Sequence, residues 1–323
     1  MGGYLEPKSL TLLEAYALTP QPVTKHFKRW TGTKWRQVTE IKEPLRTALR
    51  EENKRLYEVY EKELTKYDIS EIPQAYRKEH DIRTNAKIHK ENKTIVKFDF
   101  SKFYDNVDWS YIRPYIEILF PDLNANEKTY RKCFIDVDTG GVYQGSPCSG
   151  VLAGLALIPF WCELKKALPK ETFTQYSDDL IVSNTTKNQK EIEQIILQCL
   201  VKSNRRFKLN KDKTTTQTDH FRSVTGVHIN RQDKMTPKRT DYRQYRALLH
   251  GLSKANDPIQ FIQSIGETSS HFLGKLSYIK SIDETGKITK IIEKADDKLE
   301  IIKQDMIRQQ QYEMRCRLNQ NII

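Results

Sequence analysis

The sequence predicts an α+β fold in which a small sheet is backed by helices and followed by an all-helical region. Three observations carry this. Phe173 to Tyr176 and Leu180 to Val182 are apolar, β-prone stretches on either side of Ser177-Asp178-Asp179, which reads as strand, tight turn, strand. A β-branched run from Thr94 ends on Asp99 and is followed by the aromatics Phe103 and Tyr104. Around these strands, apolar residues recur at helical spacing in segments too long for strands.

Taken in order, residues 1–35 carry proline, glycine and aromatics without clear periodicity, with Gln21-Pro22-Val23-Thr24-Lys25 as a connector. From Pro44 to Tyr67, Leu45, Leu49, Leu56, Val59 and Leu64 fall on one face of a helix that starts at the proline. Beyond Asp99, the run DWSYIRPYIEILF starts a short helix that Pro121 closes. Gly140 to Pro147 is a loop rich in turn residues that leads into an apolar helix from Val151 to Leu164. Ile192, Ile195, Ile196 and Leu200 place another amphipathic helix over 191–202. After Asn230 the pattern turns to charged helices without a strong strand signal. The expected organisation is an N-terminal extension (1–35), a core (36–230) and a helical C-terminal region (231–323).

Composition bounds the function. With 54 Lys+Arg against 42 Asp+Glu, the net charge is +12, which favours a polyanionic partner; ribosomal and membrane-surface proteins share that signature. No run approaches the ~18 apolar residues of a membrane span, and the first residues lack the basic start and apolar core of a signal peptide, so a cytoplasmic protein with no membrane partner is expected. The five cysteines are scattered and form no Cys-x-x-Cys pair, which speaks against a disulfide framework or a zinc module. Between Arg231 and Arg246, six cations stand against two anions, interleaved with Tyr242 and Tyr245. Such a segment can track a phosphate backbone or form a solvated helix face.

The carboxylates carry the chemistry. Asp178 and Asp179 at a hairpin tip would expose hard oxygen donors at a sheet edge. The same dipeptide at Asp296-Asp297, inside a charged run, reads as a solvated helix face. Asp99 supplies a carboxylate from a separate strand, as phosphoryl transfer by two ions roughly 3.5–4 Å apart requires.

These segments resemble the reverse transcriptases. FDFSKFYDNV (from Phe98) is similar to their motif A, QGSPCSG (Gln144 to Gly150) to motif B and YSDDL (from Tyr176) to motif C. KLNKDKT (Lys208 to Thr214) resembles motif D, and VTGVHIN (Val224 to Asn230) falls at the expected primer-grip hairpin. The resemblance implies a right-hand polymerase with fingers and palm followed by a helical thumb, and an RNA-directed DNA polymerase using two Mg²⁺ ions, with Mn²⁺ as the other option. It implies Asp99, Asp178 and Asp179 as catalytic residues and metal ligands, with the backbone carbonyl of Phe100 as a further donor. Tyr104 would close the space beside the sugar 2′ position, with Phe103 pointing into the core. Gln144 and Gly145 would lie under the base pair being formed. Lys213 would protonate pyrophosphate, and Arg36 would clamp the triphosphate of the incoming dNTP.

Two further strings narrow the resemblance to bacterial retron reverse transcriptases: Asn85-Ala86-Lys87-Ile88-His89 and Val224-Thr225-Gly226. That subtype implies a cognate non-coding RNA as template and primer, an RNA-linked DNA product and a role in phage defence with a separate effector protein. Its RNA contacts would fall at Asn85, His89, Arg239, Tyr242, Arg243 and Arg246. Gly150 stands where a proline often follows the motif B serine, and the N-terminal fingers motifs are poorly formed. The related abortive-infection enzymes, with a protein primer or little template, are therefore an alternative, and an inactive RNA-binding scaffold is a second.

Overall fold

The computed structural model describes the backbone of residues 10–19, 23–30, 35–218 and 222–320, and side chains over 10–19, 38–218 and 222–316. The chain divides into two compact units, one of residues 1–81 with 94–216, the other of 82–93 with 217–323. The second break falls before the hairpin containing Val224-Thr225-Gly226 and not at 230/231, because that hairpin contacts the short helix formed by residues 82–89.

The first unit opens with α1 (Leu12–Ala17), fixed by a capping box in which Thr11 and Glu14 satisfy each other's backbone N–H groups. An antiparallel hairpin follows, β1 (Val23–Trp30) and β2 (Trp35–Ile41). Neither element stands out by hydrophobic period, although Thr11-x-x-Glu14 is a legible start signal. The helix expected from Pro44 is α2 (Leu45–Lys66), and its predicted apolar face is the buried one. The chain then passes through α3 (Ile82–His89) of the second unit before returning as β3 (Thr94–Ser101).

A short 3₁₀ turn (Tyr104–Asn106) leads to α4 (Trp109–Leu119), capped by Asp108, and to α5 (Leu123–Phe134). The apolar helix is α6 (Ser149–Ala167), buried on most of its circumference because α2, α4 and α7 all pack on it. The hairpin of β4 (Thr172–Tyr176) and β5 (Asp179–Ser183) stands as predicted. Then come α7 (Gln189–Ser203), with an Asn188/Glu191 capping box, β6 (Lys208–Leu209) and β7 (Thr215–Thr218). The sheet order is β4-β5-β3-β6, with β7 also pairing with β3, so the strand that ends near Asp99 is central. Its apolar side rests on the core built by Leu56, Tyr60, Ile112, Phe160, Trp161 and Ile196.

The second unit holds α3 and the three-stranded sheet of β8 (Arg222–Val224), β9 (Val227–Ile229) and β10 (Met235–Thr236). After it run α8 (Arg239–Lys254), α9 (Pro258–Ser264), α10 (Ser269–Ile282), α11 (Lys287–Ile292) and α12 (Asp296–Gln320). Leu249, Leu252, Ile262, Phe272 and Ile302 form their common core. Arg231 and Lys234 precede α8 and belong to the β9–β10 turn, so the basic helix starts later than the run of cations. Asp296 and Asp297 are exposed in the first turn of α12, where carboxylates suit the helix dipole. Among the described residues, no helix is long and apolar enough to cross a membrane.

Candidate active site

The β4–β5 turn brings the predicted carboxylates to β3. Asp99 stands directly opposite Asp179 in the β3–β5 register, and the N–H of Phe100 donates to the carbonyl of Asp178 at 2.8 Å. Of the two turn residues, Ser177 alone has a positive φ, +54°, the sign pattern of a II′ hairpin turn, where glycine is the usual occupant. Asp99 is 7% exposed, while Asp178 and Asp179 are half-buried. Burial raises the pKa of Asp179, and the neighbouring charges of Asp178 and Asp99 add to the rise, against the opposing pull of Lys97 and Lys213. Three carboxylates thus share one electrostatic neighbourhood.

Lys213 enters this neighbourhood from the 3₁₀ turn Lys211–Lys213, which follows β6. Its ammonium donates to both carboxylate oxygens of Asp99, at 2.8 and 2.7 Å. Expected as a proton donor to pyrophosphate, Lys213 is here the counter-ion of Asp99. Among the described residues no group of three His, Cys, Asp or Glu side chains encloses an ion site. The donor chemistry nonetheless fits a hard cation, since Mg²⁺ is commonly held by one or two carboxylates with water and substrate phosphate completing its shell. The mutual repulsion recorded at Asp179 is the charge such an ion would offset.

The motif B segment is tied by a side chain to motif A and by its backbone to β2. Phe103 is buried against Phe100 and Phe207, as expected, while Tyr104 is half-buried. Gln144 donates from Nε2 to Asp105 Oδ1 at 3.2 Å, and its carbonyl accepts from the N–H of Thr39 on β2 at 2.6 Å. Gly145 adopts φ +121°, and a Cβ there would lie 2.5 Å from the Thr39 carbonyl oxygen, so only glycine fits this close approach. Arg36 is on β2 opposite Arg29, and its side chain lies outside the described residues.

Two residues that sequence reasoning passed over complete the surroundings. Arg206 pairs with Asp108 and donates to the carbonyls of Asp105, Thr139 and Gly140, tying the turn after Asp99 to the loop before Gln144. Its only sequence signal is one arginine among many. Tyr76 lies in the segment that runs beside β4, where Gln74 and Gln175 exchange backbone hydrogen bonds with that strand and with Ile72. The Tyr76 hydroxyl hydrogen-bonds that of Tyr104 and also lies 3.1 Å from Ser177 Oγ.

In the second unit, Asn85 and His89 are fully buried. Asn85 Nδ2 donates to Thr225 Oγ1 at 3.4 Å, joining the two short strings to each other. Both residues were expected to contact RNA; in the free chain both side chains are buried, and that of Asn85 faces the β8–β9 hairpin. Arg239, Arg243 and Arg246 are exposed along one face of α8, with Tyr242 half-buried beside them. Tyr245 belongs to the core.

Burial pushes the His89 pKa from 6.5 down to about 3. The unfolded chain therefore takes up a proton that the folded chain refuses: stability from this group is full above pH 6.5 and falls as the pH drops towards about 3. The expected slope is about 1.4 kcal/mol per pH unit. Urea denaturation at about pH 7 and about pH 5 should show a loss on the order of 2 kcal/mol, and His89→Gln should remove most of the difference. An unchanged slope in that variant would refute the assignment.

Residues 28–275 match the family model described as reverse transcriptase (RNA-dependent DNA polymerase). Among solved structures, telomerase from Candida albicans in complex with a TWJ fragment of telomeric RNA is 13% identical, with a TM-score of 0.43 over 74% of this chain and 48% of that one. Apo telomerase from Candida tropicalis is 14% identical, with a TM-score of 0.42 over 78% of this chain and 55% of that one. The chain spans about half the length of those structures. With the family model matching residues 28–275, well over half of its length, the chain belongs to the reverse transcriptase (RNA-dependent DNA polymerase) family.

Proposed function

We propose that the protein is an RNA-directed DNA polymerase of the retron kind, which copies a partner non-coding RNA into single-stranded DNA that stays joined to the RNA, in antiphage defence with a separate effector. The observation that carries the polymerase reading is the juxtaposition of Asp99 with Asp179 across β3–β5, beside Asp178 on the turn. The retron reading is supported by the packing of Asn85 against Thr225, which makes one structural unit of the two strings that mark that subtype.

In this reading Asp99 and Asp178, with Asp179 and the Phe100 carbonyl in support, hold divalent cations. Mg²⁺ suits their hard oxygen donors, and when bound it lowers the pKa of the primer hydroxyl and stabilises the leaving pyrophosphate. The chain's own residues do the rest. Tyr104 stands beside the sugar and rejects a 2′-hydroxyl by overlap. Gln144, oriented by Asp105, and Gly145, held against β2, support the nascent base pair. Lys213, released from Asp99 when substrate arrives, moves its ammonium to the leaving phosphate and gives it a proton. Arg36 provides a bidentate contact to the triphosphate, and Arg239, Arg243 and Arg246 offer cations to the RNA backbone.

The test is to purify the protein from its native locus, extract bound nucleic acid, and treat it separately with RNase, DNase and protease before sizing on a denaturing gel. DNA that remains joined to a discrete RNA until RNase treatment is the expected result. DNA shifted only by protease would replace this reading with the protein-primed, abortive-infection one.

A further inference from the structure

Tyr76 occupies an unusual position for a large aromatic. It is 47% exposed, yet its backbone is held at φ +60°, a region that non-glycine residues enter at a cost of about 1–3 kcal/mol. The flanking chain over-determines that conformation. Arg77 forks onto Glu61 of α2 at 2.8 and 2.7 Å and donates to the Ser70 and Pro73 carbonyls. The N–H of Lys78 donates to the Tyr57 hydroxyl at 3.0 Å, and Pro73 bridges to Gln175 of β4.

So anchored, the Tyr76 ring lies on the first turn of α6. A Cβ on Gly150 would fall 2.4 to 2.8 Å from three of its ring carbons. The glycine that departs from the usual motif B pattern is therefore the space in which Tyr76 sits. Tyr76 also lines a cavity of about 20 Å³, together with Tyr60, Phe103, Gly154, Trp161 and Gln175. The polar end of Tyr76 reaches Tyr104 and Ser177.

We propose that Tyr76 is a positioning residue for sugar discrimination: its hydroxyl bridges the Tyr104 ring to the Ser177 turn and fixes how closely Tyr104 approaches the nucleotide's 2′ position, while Gly150 keeps the room that this bridge requires. The inference rests on the reading of Tyr104 as the sugar-discriminating residue. Its physical logic is that a phenol ring free to rotate about χ1 excludes a hydroxyl poorly, whereas one tethered at its far end keeps a constant wall. Tyr76 and Gly150 come from segments on either side of motif A, so the device is assembled by the fold.

The experiment measures the ratio of kcat/KM for a deoxynucleotide to that for the matching ribonucleotide, using the full chain with its bound RNA. Tyr76→Phe removes the hydroxyl and keeps the ring. The ratio should fall about five- to tenfold, the scale of one lost hydrogen bond. Gly150→Ala, which displaces the ring without touching a hydroxyl, should lower it similarly. Tyr104→Phe combined with Tyr76→Phe should be no worse than Tyr104→Phe alone, since both remove the same bridge. Tyr104→Ala separates the two levels of the argument. If it relaxes discrimination while Tyr76→Phe leaves the ratio unchanged, or the two phenylalanine variants act additively, the positioning role is overturned and the sugar reading stands. If Tyr104→Ala itself leaves the ratio unchanged, the sugar reading fails and the positioning role falls with it.

Discussion

Asp178→Ala is expected to reduce nucleotide incorporation by about 10²–10³-fold or more, the scale of losing a preorganised electrostatic group at a transition state, while leaving the fold intact. The turn does not depend on the carboxylate. It is held by the β4–β5 ladder, by the bond from the Phe100 N–H to the Asp178 carbonyl and by Gln175, whose side chain donates to the Ser177 carbonyl at 2.7 Å. All of these survive truncation at Cβ. Stability should hold or rise slightly, because Asp178 is a like charge beside Asp179. The raised pKa of Asp179 means that the folded chain binds its proton more tightly than the unfolded chain does. That group costs stability at neutral pH, and the cost disappears as the pH falls below the unfolded value of 3.8. Removing Asp178 lowers this cost.

Primer extension with one nucleotide, thermal unfolding and RNA binding, measured on the same preparation, test the claim. Lost extension with unchanged melting and unchanged RNA binding places the carboxylate in the chemistry. Extension near the wild-type rate would remove the two-carboxylate reading, whereas unchanged biological activity of a variant that makes no DNA would favour the RNA-binding scaffold. Asp99→Asn is a less clean variant, because it also takes away the partner of Lys213.

The hairpin around Asp178, the strand ending near Asp99 and helices α2, α6 and α7 were legible because their hydrophobic periods are long and unbroken. The N-terminal α1 and the β1–β2 hairpin were not, since α1 is a six-residue helix and the hairpin strands lack clean alternation. In the candidate site, the convergence of the carboxylates was legible and the side-chain connectivity was not. Asp99, Asp178 and Phe103 follow from order along the chain, whereas the Lys213–Asp99 ion pair, the Arg206 clamp and the Tyr76 bridge join residues far apart in sequence. Nothing local announces such pairs. The burial of Asn85 and His89 was not legible for a related reason. A polar residue in a recurrent string invites a functional contact, but polar residues also recur where the interior needs a hydrogen bond, and both of these are at 0% exposure.

The same reasoning gives the largest expected change in stability, at a residue that the composition of the chain conceals. Among 54 cationic residues, Arg222 has 0% exposure in the second unit. Its guanidinium donates to the carbonyls of Lys90 at 2.8 Å, Asn92 at 2.6 Å and Asn230 at 3.1 Å, and it pairs with Asp233. These partners lie on the turn after α3 and on the β9–β10 turn, so one side chain fastens α3 to the small sheet. Arg222→Ala leaves three buried-side acceptors and a carboxylate without their donor and opens a cavity. The expected loss is about 3–5 kcal/mol, from about 1–3 kcal/mol for each buried carbonyl left unsatisfied together with the cavity. Lysine cannot replace the fork: it delivers one ammonium where four acceptors diverge, so Arg222→Lys should recover less than half of the loss. Lys93, which also pairs with Asp233 at 3.2 Å, is mostly exposed and cannot take over the buried role. Urea denaturation of the three proteins decides the matter, and a loss below about 1 kcal/mol for the alanine variant would show that the network is incidental. If α3 is released as expected, the Asn85–Thr225 contact goes with it, and retention of the RNA proposed as partner should weaken even though every exposed cation of α8 is still present.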